Sequence, residues 1–447
     1  MSRSAGAVLA LLMALVLPST AQAGSSQPDD PVFRQGLQWS LARTGVPAAW
    51  ATSRGTGTTI AIVDSGADLA HEDLTGKVVA DVSCVGADGD PTRCRGRGQD
   101  DNGHGTHVAG IAAATTGNAK GIAGVAPDAR LMIVKVLASP CDDGDCSATG
   151  DASDVAAGVR WAADRGADVI NLSLGGGPVQ GVLGCAFCDA VEYAWAKGAI
   201  PVIAAGNDSG LPAGFSDEPA VIVTATTRDD ARASYSNASS GLLRSARWPV
   251  AAPGGEAEAR PEDCATGGAP RGVLSAYWVP DQRNAYACLA GTSMAAPHVS
   301  GALALLLAQG RSPQQAVDRL LATAVDLGPP GRDDQFGMGR IDVARAVGSA
   351  PAPPTSAPAT TAAAPPPTSP TTVAGAGQAG STPVPPSQPA VTAPDPEEAA
   401  PFVAPDAPAS PEGGPPAWLV ALAIAAIALS GGASAAVTWR LAEREGG

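Results

Sequence analysis

Positive charge is in short supply in this sequence. Across 447 residues, 28 Lys and Arg stand against 43 Asp and Glu, a formal charge of −15. That balance argues against nucleic acid as a partner and suits an acid-faced domain working in solvent. Histidine is rarer still, with four residues, and none lies between closely spaced cysteines. That lack makes zinc-type ligation a poor account of the eight cysteines, and disulfides in an oxidising compartment the better one. Residues 350–416 have no Lys or Arg at all and consist mainly of Pro, Ala, Ser and Thr. Such a stretch cannot bury a core and reads as a disordered Pro-rich linker or stalk, at most about 200 Å long if fully polyproline-like.

What is present at the two ends gives the chain an address. Residues 1–23 carry Arg3, an apolar run from Ala7 to Leu17 and then Ala21-Gln22-Ala23, the pattern of a secretory signal cut after Ala23. Residues 24–35 form a short polar extension, read as loosely held, before the main domain at 36–349. Beyond the linker, residues 417–438 are an almost uncharged apolar run long enough to cross a bilayer as one C-terminal transmembrane helix. Trp418 and Trp439 stand at its edges, with Arg440 and Arg444 after it, which places the tail 439–447 in the cytoplasm. The expectation is a single-pass protein of the cell membrane with its main domain on the outer side.

Within that domain, short apolar runs rich in β-branched residues alternate with helical segments. Thr59 to Val63, Arg130 to Val136, Val169 to Leu174, Pro201 to Ala205 and Ala220 to Ala225 read as buried strands, and Ser153 to Arg165 as a helix stopped by Gly166. Alternation of this kind predicts an α/β domain of three layers around a mostly parallel sheet. Ser312-Pro313 predicts a capped helix running to about Ala324. Cys84 and Cys94 flank a Gly/Asp/Arg-rich loop and form the preferred bridge. Cys141 with Cys146, Cys185 with Cys188, and Cys264 with Cys288 are further pairs whose connectivity stays open.

Three stretches carry chemistry. Ala290 to His298 is a small-residue turn that runs into an apolar helix, so Ser293 would sit where unpaired N–H groups and a partial positive charge favour an oxyanion. Taken alone, such a serine is an ordinary helix cap. Asp64 follows the strand Thr59 to Val63, where open α/β sheets place function, although a turn former also belongs there. His104 opens a helix of small residues, with His107 one turn on, and either ring alone reads equally as a core histidine.

Together, Asp64-Ser65-Gly66, His104-Gly105-Thr106-His107-Val108-Ala109-Gly110 and Gly291-Thr292-Ser293-Met294-Ala295-Ala296-Pro297 resemble the signature motifs of the subtilisin-like serine proteases, in that family's chain order. The resemblance covers residues 36 to 349 and implies the subtilisin-like form of the three-layer fold. It implies that Asp64 orients an imidazole, that His104 is general base and acid, and that Ser293 is the nucleophile. Asn207 would be the side-chain donor of an oxyanion hole, and Ser173, Leu174 and Gly175 would line the pocket for the residue before the scissile bond. His107 matches the family's second, non-catalytic histidine.

Further expectations follow from the same resemblance. The loop Thr115 to Gly124 matches one that often wraps a structural calcium, with Asp73 and Asn118 as oxygen ligands, or else it is an ordinary turn. No cofactor is expected for catalysis, and the substrate is a protein or peptide. Residues 24–35 leave no space for the folded prodomain of many family members, so the domain either folds unaided or uses them as a short extension lying against it. Gln38-Trp39 and the motif around His104 are closest to thermitase-like members. The layout of signal, domain, stalk and membrane helix also resembles the mycosins, proteases of type VII secretion systems. That likeness would add secretion-machinery partners and a structural role in a membrane assembly.

Overall fold

The computed structural model describes residues 28–139, 148–174, 187–209, 217–239, 245–256 and 271–349. The predicted signal (1–23), linker (350–416), membrane helix (417–438) and tail (439–447) lie outside them. So do Gly175 and the cysteines 141, 146, 185 and 264.

The strands are β1 (Thr59–Asp64), β2 (Val78–Ser83), β3 (Arg130–Lys135), β4 (Val169–Leu172), β5 (Ile200–Ala204), β6 (Val221–Thr226) and β7 (Trp248–Pro253), with a hairpin of β8 (Val273–Val279) and β9 (Gln282–Leu289). Among the described residues β1 to β7 form one sheet in the order β2-β3-β1-β4-β5-β6-β7, parallel throughout. The helices are α1 (Pro31–Arg34), α2 (Trp39–Arg43), α3 (Val46–Ala49), α4 (His104–Ala113), α5 (Ala152–Asp164), α6 (Cys188–Ala196), α7 (Thr292–Leu307), α8 (Pro313–Ala322) and α9 (Val343–Val347).

Strand periodicity divides the core into two. Ile60 and Ile62 of β1, with Leu131 and Ile133 of β3, pack with Val108 and Ile111 of α4 and with Val299, Leu303 and Leu306 of α7. Their neighbours in sequence, Ala61, Val63, Met132 and Val134, join Val155 and Val159 of α5 and Val191 of α6 in the other cluster. Successive side chains of a strand point to opposite faces, so this partition is what a sheet covered on both sides produces. All of α7 but its last residue is buried. Its run of Ala, Gly and Leu, with no charged residue, is the composition of a helix enclosed all round.

Several local expectations meet the coordinates directly. Ser312 caps α8 through Gln315 N–H in a full capping box with Pro313 behind it, and the helix ends at Ala322, two residues short of the expected end. Cys84 and Cys94 are bonded to each other. The extension differs from its loosely held reading. Asp30 is fully buried and accepts Gly117 N–H at 2.8 Å, Val32 N–H donates to Gly121 O at 3.0 Å, and Phe33 packs on Trp50 at 5.6 Å between ring centroids. The loop 117–121 has backbone N–H groups with no strand or helix to pair them, and the extension supplies acceptors for three, those of Gly117, Asn118 and Ala119.

Candidate functional site

All parallel strands end on the same edge of a sheet, and there β1 delivers Asp64, β4 leads into Ser173 and Leu174, and β5 leads into Asn207. Helices α4 and α7 begin at this edge with His104 and Ser293 near their first residues. Glycine permits the approach of α4. A Cβ on Gly105 would lie 2.1 Å from Gly66 O, so the helix start meets the turn after Asp64 backbone to backbone.

That contact sets one pair of side chains. His104 Nδ1 donates to Asp64 Oδ1 at 2.8 Å, and Ser65 N–H donates to the same oxygen at 2.7 Å. The Asp64 side chain is fully buried and the His104 side chain is 11% exposed. This is the arrangement of a fixed acid and a reachable ring: Nδ1 is committed to the carboxylate, and Nε2 is the ring nitrogen on the far side from it.

The loop ahead of His104 is organised by Asp100, which motif reading passed over. Its buried carboxylate accepts Ser65 Oγ at 2.8 Å, the N–H groups of Asn102, Gly103 and Thr106 at 3.0 Å each, and the Thr106 hydroxyl at 2.5 Å. Ser65 Oγ accepts Gly105 N–H at 3.0 Å, so one carboxylate joins the turn after Asp64 to the start of α4. Lys135, buried beside Asp64 in the register of β1 and β3, donates to Ser65 O and to Asp101 Oδ1, each at 2.7 Å.

On the other side of the edge, Ser293 Oγ donates to Ser173 O at 3.2 Å, and Ser173 Oγ donates to Ser293 O at 2.8 Å. Ser173 and Leu174 are buried. Asn207 Oδ1 accepts both Thr292 N–H and the Thr292 hydroxyl at 3.0 Å, which fixes which end of the amide faces Thr292. A Cβ on Gly291 would lie 3.4 Å from Asn207 Nδ2 and 3.6 Å from Ser293 N, so the two nitrogens border one small space. Asn237, also passed over, fixes the Asn207 loop by donating to Ala205 O at 3.1 Å and accepting Asp208 N–H at 2.9 Å.

The other two histidines of the motifs are structural. His107 Nε2 faces Val273 O and Ala287 O at 3.1 Å each, and complete burial holds its pKa down at about 3. His298 Nδ1 donates to Met294 O at 2.8 Å, and burial holds it at about 4. Both are neutral donors within the core.

Asp73 and Asn118 do come together, with Asn118 Nδ2 3.4 Å from Asp73 Oδ1. Asp73 Oδ2 accepts the Tyr286 hydroxyl at 2.7 Å and Ile122 N–H at 3.2 Å, and burial raises the carboxyl's pKa. Burial likewise raises Asp30, which reaches the same loop from the extension, while the nearby Lys120 ammonium lies 3.9 Å from Glu72 instead. Among the described residues no group of three or more His, Cys, Asp and Glu is placed to hold a metal. Two buried carboxylates that both bind this loop, Asp30 and Asp73, carry the hard oxygens that calcium takes. Asn118 is the exception, since its amide oxygen accepts Lys120 N–H at 2.9 Å.

A parallel sheet with a carboxylate, an imidazole, a serine and two neighbouring donor nitrogens at its carboxyl edge belongs to the α/β enzymes. The family is given by comparison. The Subtilase family model (Peptidase_S8) matches residues 55–339. Thermitase of Thermoactinomyces vulgaris is 38% identical over 324 residues, 72% of this chain and 99% of that protein. A thermophilic serine proteinase of Bacillus sp. (strain AK1) is 38% identical over 72% of this chain and 69% of its own length. A solved protease structure from Pseudoalteromonas arctica superposes with a TM-score of 0.57 at 30% identity, covering 72% of this chain and 99% of that one. The chain belongs to the subtilase family and is a subtilisin-like serine endopeptidase.

Proposed function

We propose that Asp64, His104 and Ser293 form the catalytic triad of this endopeptidase and that Asn207 and the Ser293 N–H form its oxyanion hole. The observation that carries the reading is the Asp64–His104 bond of 2.8 Å, at the same sheet edge as Ser293 and the nitrogens of Asn207 and Ser293 that border one space. In the reaction, Ser293 Oγ turns from Ser173 O toward His104 and attacks the peptide carbonyl carbon while the imidazole takes its proton. The C–N bond breaks as His104 returns that proton to the leaving amine. Water then attacks the acyl-enzyme with His104 again as base, and Ser293 is regenerated. Asp64 holds the ring's tautomer throughout. Ser173 and Leu174, with Gly175 next in sequence, stand where a substrate backbone would lie along β4.

The reading extends to place and cofactor. Residues 1–23 as a signal and 417–438 as a membrane helix would hold the catalytic domain on the outer face of the cell membrane, with 350–416 as stalk. Calcium held by Asp73 and Asp30, with Asn118 joining only if its amide oxygen gives up Lys120 N–H, would neutralise buried carboxylates and tie the extension to the domain, with no part in the chemistry. A structural role in a secretion assembly has no observation in its favour. The test is hydrolysis of an unfolded protein substrate by the purified chain and by Ser293→Ala. Loss of cleavage in the variant supports the triad, and retained cleavage removes it.

A further inference from the structure

Ser293 O has lost its helical partner through the sequence itself. In α7 this carbonyl would accept the N–H of the residue four positions on. That residue is Pro297, which has none. Its acceptor role is met from the sheet, where Ser173 Oγ donates to it at 2.8 Å.

A hydroxyl has a single proton to give. Ser173 directs its proton to Ser293 because its own oxygen already accepts Asn171 Nδ2, at 2.9 Å. The Asn171 amide is oriented in turn by Ser300 Oγ, which donates to Asn171 Oδ1 at 2.8 Å. Turned over, Asn171 would offer Ser173 an oxygen, draw its proton away and leave Ser293 O unmet, with Ser300 donating to Ala296 O at 3.2 Å instead. Asn171, Ser173 and Ser300 are all fully buried, so water cannot substitute for a lost partner. Ser300 stands two helical turns after Ser293, on the face of α7 toward β4.

We infer that Asn171 and Ser300 are positioning residues for the nucleophile. Acting through Ser173, they replace the hydrogen bond that Pro297 removes and fix the backbone of Ser293, the residue that carries both the attacking hydroxyl and an oxyanion donor N–H. The inference rests on Ser293 being the nucleophile as proposed above. A small shift of this one residue would misplace both groups together, which is why a buried relay matters to rate.

The test compares the unmodified chain with Asn171→Ala, Ser300→Ala, the double variant and Asn171→Ala in a Pro297→Ala background. The readouts are the second-order rate of Ser293 labelling by a fluorophosphonate probe and the thermal midpoint. Labelling is expected to slow about threefold in Ser300→Ala and about tenfold in Asn171→Ala, with the double variant no slower than Asn171→Ala, as members of one path behave. Relative to Pro297→Ala alone, the Asn171→Ala deficit should shrink, because residue 297 then offers Ser293 O an N–H. That rescue would not follow from a loss of stability alone. Labelling of Asn171→Ala at the unmodified rate, or a deficit untouched by Pro297→Ala, overturns the inference. An unmodified chain that takes no label removes the nucleophile assignment first, and is recognised before any variant is made.

Discussion

Gly291→Ala places one methyl carbon in the space bordered by both nitrogens of the proposed oxyanion hole. The added carbon would lie 3.4 Å from Asn207 Nδ2, 3.6 Å from Ser293 N and 3.7 Å from Met294 Sδ. An oxyanion needs about 2.7–3.1 Å to each donor. A methyl carbon keeps other heavy atoms about 3.5–4.0 Å away, so it and the oxyanion cannot share that space. The backbone has no objection to alanine here, since φ of 164° and ψ of 159° are extended and the new contacts are ordinary ones. Fold and thermal midpoint should therefore hold while the transition state loses at least one donor. That loss is about 3 kcal/mol, or on the order of 100-fold in kcat, a magnitude measured on subtilisin itself rather than worked from this structure. Steady-state hydrolysis of a chromogenic peptide amide would show kcat falling with the midpoint unchanged. A kcat within about twofold of the unmodified enzyme would mean that these two nitrogens are not the oxyanion hole.

Acid should destabilise the domain through its core histidines. With folded pKa values of about 3 for His107 and about 4 for His298, below the ordinary 6.5, the unfolded chain takes up protons that the folded one refuses. Their contribution is complete above about pH 6.5 and is lost as pH falls toward 4, at about 1.4 kcal/mol per pH unit for each ring. Raised carboxyls such as Asp30 and Asp73 oppose part of this, because their protonated forms suit the folded state. Denaturant unfolding at pH 7, 6, 5 and 4 would test it, and a flat profile would contradict the neutral assignment. Asp100→Ala removes the acceptor of five bonds and should cost about 3 kcal/mol or more of stability, read as a lower urea midpoint, together with a lower kcat. If Asp73 and Asp30 hold calcium, EGTA should lower the thermal midpoint of the unmodified chain and leave Asp73→Asn unmoved. Equal midpoints with and without EGTA would remove the metal.

Legibility of the site followed chemical distinctiveness. Asp64, His104 and Ser293 stood out because each sits in a run of small residues at the end of a strand or the start of a helix, a context that core packing alone does not require. Strand identity was equally plain, since β1, β3, β4, β5 and β6 are short β-branched runs buried on both faces. Asp100 was not legible as an organiser. Its five donors come from residues 65 to 106, and only the folded turn brings them round one carboxylate. Asn171 and Ser300 read as single polar residues in apolar runs, 129 positions apart, and gain meaning only when α7 packs on β4. Asp30 lay in a polar stretch with no periodicity, and its role depends on N–H groups of a distant loop.

The assignment of the nucleophile can be tested in one step. The purified chain would be treated with a fluorophosphonate probe, digested, and its adduct located by mass spectrometry. A single adduct on Ser293, absent from His104→Ala and accompanied by loss of peptide hydrolysis, is the predicted result. An adduct on another serine, or hydrolysis that survives full labelling of Ser293, would contradict it.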